Sequence, residues 1–388
     1  MNVLLIEPYC GGSHRAWAEG YARHSGHTVT LLRLPARFWK WRMQGGCVTM
    51  AEQAQALDHR PDCVLASDML NLPAFLGLGR GFLADVPTAV YCHENQLTYP
   101  FPPGERRDLT YAVINWLSML AADRVFFNSS YHMEDWFQAL PNMLKHFPDH
   151  THLHRIDEVR QKADVLPVGC ALQRLDTVPR PDGPGAPPLI LWNQRWEYDK
   201  DPETFFKALR VLKASGEAFR LALAGRSYRQ TAPEFEAARA EFSDRVLHFG
   251  YATRDDYDAL LRQADIVVST AIHEFFGVAI VEAIYAGCFP VLPNRLSYPE
   301  LVPSSHHNVC LYTSFDDLVD RLRWALTHGR KAGSLARDLR PAVAGFDWRA
   351  MAPRYDGRLE EMAQPLRAAP DHNPGGNPTD LGAVSGPR

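Results

Sequence analysis

No C-x-x-C pair occurs in the 388 residues, and the seven cysteines (Cys10, Cys47, Cys63, Cys92, Cys170, Cys288, Cys310) are odd in number and widely spaced. A disulfide framework and a zinc knuckle are both excluded, and reduced, mostly buried thiols are expected. Nor is there a basic excess: 41 Lys and Arg stand against 45 Asp and Glu, a formal charge of −4. The chain is therefore no dedicated nucleic-acid coat, and any such contact must come from a local patch. No window approaches the roughly 18 uncharged residues that span a bilayer, and Met1 to Glu7 carries no basic stretch ahead of an apolar one. A soluble cytoplasmic protein without membrane contact is the expectation. What the chain does have is 46% hydrophobic residues over a length that supports two ordinary domains.

The apolar run Val3 to Ile6 is short and bounded by Glu7-Pro8 and a glycine pair, which reads as a buried parallel strand. Gly11-Gly12-Ser13-His14 then supplies a turn, with Ser13 as helix N-cap and Ala16 to His24 as the helix. The unit repeats, with strands at Thr28 to Leu32, Cys63 to Ala66, Thr88 to Tyr91 and Arg124 to Asn128. Leu175 to Pro188 holds five prolines and two glycines and reads as a linker between a first domain, 1–174, and a second, 189–345. In the second the alternation restarts, with strands at Leu189 to Trp192, Phe219 to Ala224, Val246 to Phe249, Ile266 to Ser269 and Phe289 to Leu292. Two α/β, doubly wound, Rossmann-like domains are expected. A late amphipathic helix follows over 346–363, and 364–388, poor in large apolar residues, reads as a disordered tail.

The most specific chemical signal is His273-Glu274-Phe275-Phe276-Gly277-Val278-Ala279-Ile280-Val281-Glu282, two carboxylates eight residues apart around a glycine at a strand-to-helix junction. Free N–H groups at a helix start attract anions, which puts a diphosphate near Phe276, Gly277 and Val278, with Glu274 toward a sugar and Glu282 toward a ribose. An acidic first turn followed by a solvated glutamate remains the plain alternative. Upstream, Arg195 and Lys200 follow the first strand of the second half, at the carboxyl edge where open α/β sheets bind ligands. Both can neutralise a diphosphate, unless Lys200 merely pairs with Asp199 or Asp201.

Together, Glu274-x7-Glu282, Arg195-x4-Lys200 and the late helix from Phe346-Asp347-Trp348 resemble glycosyltransferase family 4. That resemblance implies a GT-B fold: two Rossmann-like domains facing a central cleft, a C-terminal crossover helix returning to the first domain, a nucleotide-sugar donor, retention at the anomeric carbon and no metal. Four segments of the first half narrow it: Glu7 to His14, Arg37-Phe38-Trp39-Lys40-Trp41-Arg42, Ser67-Asp68-Met69 and His93 to Pro100. These are similar to the tRNA-queuosine mannosyltransferase family, which implies transfer of mannose from GDP-mannose to the cyclopentenediol of queuosine in tRNA. Another nucleotide sugar with a small-molecule or lipid acceptor is the alternative, and a silent RNA-binding scaffold is disfavoured by the presence of all four charged site residues.

Residue by residue, Gly11 and Gly12 would let backbone approach the donor, unless they only make a tight turn. His93 would contact the transferred sugar, unless it is a satisfied loop histidine. Ser13, His14, Glu94, Asn95 and Gln96 are assigned to the acceptor pocket. Arg33, Arg37, Lys40 and Arg42 interleave with Phe38, Trp39 and Trp41, a surface suited to phosphates and bases, though such tryptophans can also be core; Arg37, Trp39, Lys40 and Trp41 of this segment are assigned to the acceptor. His146, His150, His152 and His154 lack the pattern of a closed metal site and read as a solvated loop. Asp255-Asp256 reads as the dipole-complementing start of a helix.

Overall fold

The computed structural model describes residues 1–100, 107–180, 186–225 and 233–364. Two six-stranded sheets, parallel throughout, organise the chain. The first comprises β1 (Asn2–Cys10), β2 (Thr28–Pro35), β3 (Cys63–Ser67), β4 (Thr88–Cys92), β5 (Arg124–Phe127) and β6 (Ala163–Val165), in the order β2-β1-β3-β4-β5-β6. The second comprises β7 (Leu189–Trp192), β8 (Arg220–Ala224), β9 (Val246–Gly250), β10 (Ile266–Val268), β11 (Phe289–Pro293) and β12 (Leu311–Tyr312), in the order β12-β11-β10-β7-β8-β9.

The apolar runs follow from burial on both faces. Val3 and Leu5 of β1 point to one core, with Trp17, Ala18 and Tyr21 of the helix Gly12–His24. Leu4 and Ile6 point to the other, with Cys47, Met50 and Ala54 of the helix Trp39–Gln55. A strand covered on both sides has no polar face to alternate with. Because these helices lie on opposite faces, the winding reverses between β1 and β3, and the same reversal falls between β7 and β10 in the second sheet. Both crevices open at the carboxyl ends of the strands.

The helix Trp348–Ala363 crosses back onto the first sheet. Asp347 fixes its start: one carboxylate oxygen accepts from the Arg349 amide (3.0 Å) and the other from the Leu172 amide (2.9 Å). The buried Trp348 indole lies so close to Gly20 and Gly169 that a Cβ at either would come within 2.1 or 2.3 Å of it. Further along, Trp17 donates to the Tyr355 hydroxyl (3.2 Å), and Asp356 accepts from the Tyr21 hydroxyl (2.8 Å).

Three local expectations change. Gly11, not Ser13, caps the first helix, which starts at Gly12 without a side-chain cap and leaves Ser13 exposed. Gly12 takes a left-handed φ of 53°, so the turn closes before Ser13 is reached. The stretch expected as linker from Leu175 opens with a 3-10 turn over Gln173–Thr177 whose Leu175 is buried, so its first residues belong to the packed body. Strands β6 and β12, of three and two residues, were too short to leave an apolar run. Residues 181–185 of the linker stretch and 365–388 of the tail lie outside the described residues.

Trp348→Ala empties a large site at the junction between the crossover helix and the first sheet, and is expected to destabilise the protein by about 3–5 kcal/mol. Chemical denaturation measures this; a loss below about 1 kcal/mol would show that the two halves are not tied through this indole.

Candidate active site

At the second crevice, the segment after β7 and the segment after β10 are stitched together. Lys200 is buried, and its ammonium donates to the His273 carbonyl (2.7 Å) while lying 3.0 Å from Asp199 and 3.4 Å from Glu274. The Ile272 amide donates to the Asp199 carbonyl (2.9 Å), and the Thr270 hydroxyl to the Lys200 carbonyl (2.8 Å). Burial alone would lower the Lys200 pKa, but Glu274 and Asp199 overcome it and raise it. The converse holds for Glu274, where burial pushes up and Lys200, His273 and Arg195 bring the carboxyl below its ordinary value. Lys200 is thus a fixed cation and Glu274 a fixed anion. Arg195 lies 3.3 Å from Glu197 and 3.8 Å from Asp199, with its side chain 41% exposed.

The helix Val278–Ala286 begins at this place. Gly277 caps it with φ 93°, a left-handed turn that a side chain would strain. Phe276 and Phe275 send their rings into the protein, the former against Phe346 (5.2 Å between centroids), the latter stacked on His132 (4.1 Å). Only the backbone of 276–278 is therefore available to an anion. Glu282, one turn in, is not a solvated glutamate. It accepts from Arg174 (2.7 Å) and from the Tyr257 hydroxyl (3.2 Å), and Arg174 also holds Asp258 (3.0 Å). Asp255 and Asp256 occupy the first turn of the helix Arg254–Gln263, capped by Thr253.

The first crevice is also lined by ionisable groups. Glu7, within β1, accepts from the Tyr9 amide (2.8 Å) and pairs with His14 Nδ1 (2.9 Å), the Glu7 and His14 side chains both being buried. His93 follows β4, its ring 4.2 Å from that of His14, with Nε2 unpartnered among the described residues. Glu7, His14 and His93 place three metal-capable atoms within 4.8 Å of one another, a grouping not anticipated from the sequence. The Glu7–His14 ion pair already accounts for it. Burial works against a charge on His14, but Glu7 outweighs it and raises the imidazole to about 9. His93 goes the opposite way, because burial and the neighbouring His14 charge disfavour its protonation.

The assigned acceptor residues separate into two groups. Asn95 is wholly buried; it donates to Asp135 (2.7 Å) and accepts from the Leu97 amide (2.8 Å), so it braces the loop rather than facing a ligand. Gln96 contributes its carbonyl to Arg107 (2.6 Å), and Glu94 donates its amide to Asp68 (3.0 Å). Trp39 packs on Tyr111 (4.8 Å between centroids), with Lys40 over both rings. Trp41 is exposed, as are Arg37, Lys40 and Phe38, the last at φ 53° and 78% accessible. Phe38, an aromatic of the same segment not assigned to the acceptor, is the most exposed of its three rings. Gly11 has a packing reason as well, for a Cβ there would meet the Ala36 Cβ at 2.4 Å.

The two crevices face each other. The Ser129 hydroxyl donates to the Phe275 carbonyl, the amides of Ser130 and Tyr131 donate to Glu300 (3.0 and 2.7 Å), and Tyr99 packs on His273 (4.7 Å). The sequence did not point to these contacts, nor to Arg174 and Tyr257, whereas the pairing of Lys200 with Asp199 is the alternative it offered, here present at 3.0 Å beside the contact with Glu274. One signal was available for Glu7, a lone carboxylate closing an apolar strand.

Two opposed Rossmann-like sheets, a crossover helix and a cation pair at a helix start define a glycosyltransferase of GT-B architecture. Solved structures agree in fold: sucrose-phosphate synthase from Thermosynechococcus elongatus matches with TM-score 0.67 at 16% identity, over 93% of this chain and 98% of that one. Anabaena HepE in complex with UDP-glucose matches with TM-score 0.66 at 16% identity, over 93% and 100%. Residues 179–341 match the family model for glycosyl transferases group 1, and residues 2–170 that for the tRNA-queuosine alpha-mannosyltransferase N-terminal region. The tRNA-queuosine alpha-mannosyltransferase of Drosophila melanogaster is 34% identical over 83% of this chain and 86% of its own length. The chain belongs to the tRNA-queuosine alpha-mannosyltransferase family.

Because the folded-state pKa of His14 is raised from 6.5 to about 9, its pairing with Glu7 contributes fully below pH 6.5 and is lost as pH rises through about 9. Nitrogen-resolved NMR is expected to find His14 doubly protonated at pH 7.5 in the native chain. In Glu7→Gln, which removes the largest charge opposing burial and leaves only the weaker pull of Asp68 and Glu94, the His14 pKa should fall; a ring titrating near its ordinary value in both proteins would contradict this assignment.

Proposed function

We propose that this glycosyltransferase moves mannose from GDP-mannose to the cyclopentenediol of queuosine in tRNA, in the cytoplasm, with retention at the anomeric carbon. The observation that carries the reading is the Arg195, Lys200 and Glu274 constellation at the start of the helix Val278–Ala286, joined to a first domain of this family's own type. A second relative, 26% identical over 175 residues, is a GDP-mannose:cellobiosyl-diphosphopolyprenol alpha-mannosyltransferase of Xanthomonas oryzae, which favours the same donor.

In this mechanism the bond between the sugar C1 and the diphosphate oxygen breaks with its electron pair going to the diphosphate. Arg195, Lys200 and the amides of Phe276, Gly277 and Val278 stabilise that charge. The acceptor hydroxyl bonds to C1 on the same face, and its proton passes to the departing diphosphate. Glu274 orients the hexose hydroxyls, and Glu282, held by Arg174 and Tyr257, receives the ribose. Gly11 and Gly12 admit the donor diphosphate, and His93 contacts the sugar. Ser13, His14, Glu94 and Gln96 lie along the acceptor path, while Arg37, Phe38, Lys40 and Trp41 present cations and exposed rings to the tRNA. Contacts between the domains exclude water, limiting donor hydrolysis.

Arg195→Ala removes one leaving-group cation and is expected to lower kcat for mannosyl transfer by about 100- to 1000-fold. Nucleoside digestion and mass spectrometry of the tRNA follow the reaction, the expected product being a hexose added to queuosine alone. Transfer within about threefold of wild type would refute leaving-group stabilisation by Arg195.

A further inference from the structure

Asp68 carries a buried acceptor atom that no group among the described residues satisfies. It follows β3, the strand that pairs with β1 across the winding reversal, and is 3% exposed. One carboxylate oxygen, Oδ2, accepts from the amides of His93 (3.1 Å) and Glu94 (3.0 Å), which fixes the side chain's orientation. The other, Oδ1, has no hydrogen-bond partner among the described residues. A buried carboxylate oxygen without a donor is unfavourable by about 1–3 kcal/mol or more, so its retention calls for a reason. The crevice at a winding reversal is where such sheets take their ligands, and the opposite crevice already has the groups for the diphosphate.

The surroundings define the ligand. Glu7, Glu94 and Asp68 make the place acidic, which disfavours a phosphate or carboxylate. Burial is the main cause pushing the Asp68 carboxyl up to about 7, His14 and the Glu94 amide opposing it. His14, held by Glu7, is a nearby cation and His93 a nearby neutral imidazole. A fixed acceptor beside a fixed donor matches a neutral group bearing adjacent hydroxyls, each of which both donates and accepts.

We propose that Asp68 Oδ1 accepts a hydrogen bond from one hydroxyl of the acceptor's vicinal diol and so places the other hydroxyl for attack on the sugar. The Glu7–His14 pair sits on the second side of that diol. This rests on the queuosine reading above and adds Asp68 as the residue that selects a diol over a single hydroxyl.

Asp68→Asn leaves an oxygen for the His93 and Glu94 amides and turns the free acceptor into an amide donor. The expected result is a fall of about 100-fold in kcat/KM for queuosine-containing tRNA, with the calorimetric Kd for GDP-mannose within about twofold of wild type. With a tRNA whose cyclopentene ring keeps only the reacting hydroxyl, wild type should lose at least about 30-fold against the diol, and Asp68→Asn should discriminate by less than about threefold. The proposal is overturned if Asp68→Asn transfers within about threefold of wild type, if it keeps wild-type discrimination, or if its GDP-mannose affinity falls in step with transfer. A wild-type enzyme that does not mannosylate queuosine tRNA at all overturns the functional reading together with this one.

Discussion

A lysine ammonium buried inside a protein survives as a cation only if neighbouring charges replace the water it has lost. Lys200 meets that condition through Asp199, Glu274 and the His273 carbonyl, and the rest of the second domain's site follows from it. The pairing draws the segment after β7 onto the segment after β10 and sets the approach to Gly277. It also fixes Glu274 as an anion beside the helix start. Arg195, less buried and paired at longer distances, is the group to which the proposed mechanism assigns the charge developing on a leaving diphosphate.

The two domains apply one topological rule to two chemistries. Each reverses its winding once, between β1 and β3 and between β7 and β10, and each gathers its charged residues at the carboxyl end of that reversal. The second crevice sets Lys200 and Arg195, each held by carboxylates, beside a helix start, the arrangement proposed for a diphosphate. The first is acidic and histidine-rich, suited to hydroxyl groups. The contacts of His132 with Phe275 and of Glu300 with the amides of Ser130 and Tyr131 bring the crevices together, and the crossover helix anchors the second half to the first through Trp348 and Asp347. The proposed transfer brings both sets of groups around one anomeric carbon, and the domain arrangement is consistent with that proximity.

The sheet pattern was legible because strands buried on both faces appear as uninterrupted apolar runs: Val3 to Ile6, Cys63 to Ala66 and Leu189 to Trp192 all stand where the sequence puts them. Strands as short as Ala163–Val165 leave no such run. Glu274, Glu282, Arg195 and Lys200 were legible as a spaced set, but their partners were not. Arg174 reaches Glu282 across 108 positions, and Lys200 reaches Glu274 across 74, separations that only the fold closes. Asn95 shows the reverse failure, a polar residue in the right loop whose amide turns inward to Asp135. The exposure of Phe38 depended on a left-handed backbone that residue type does not reveal.

In the proposed function, the Lys200 crevice is built for a nucleoside diphosphate rather than for a base or a monophosphate. Calorimetric titration of the native enzyme with GDP and with GMP tests it directly. The second phosphate should gain charge-assisted bonds from Lys200, Arg195 and the amides at Gly277, making GDP bind at least about 100-fold tighter than GMP. Equal affinity for the two nucleotides would contradict the account, because the cations and the helix start would then hold no diphosphate at all.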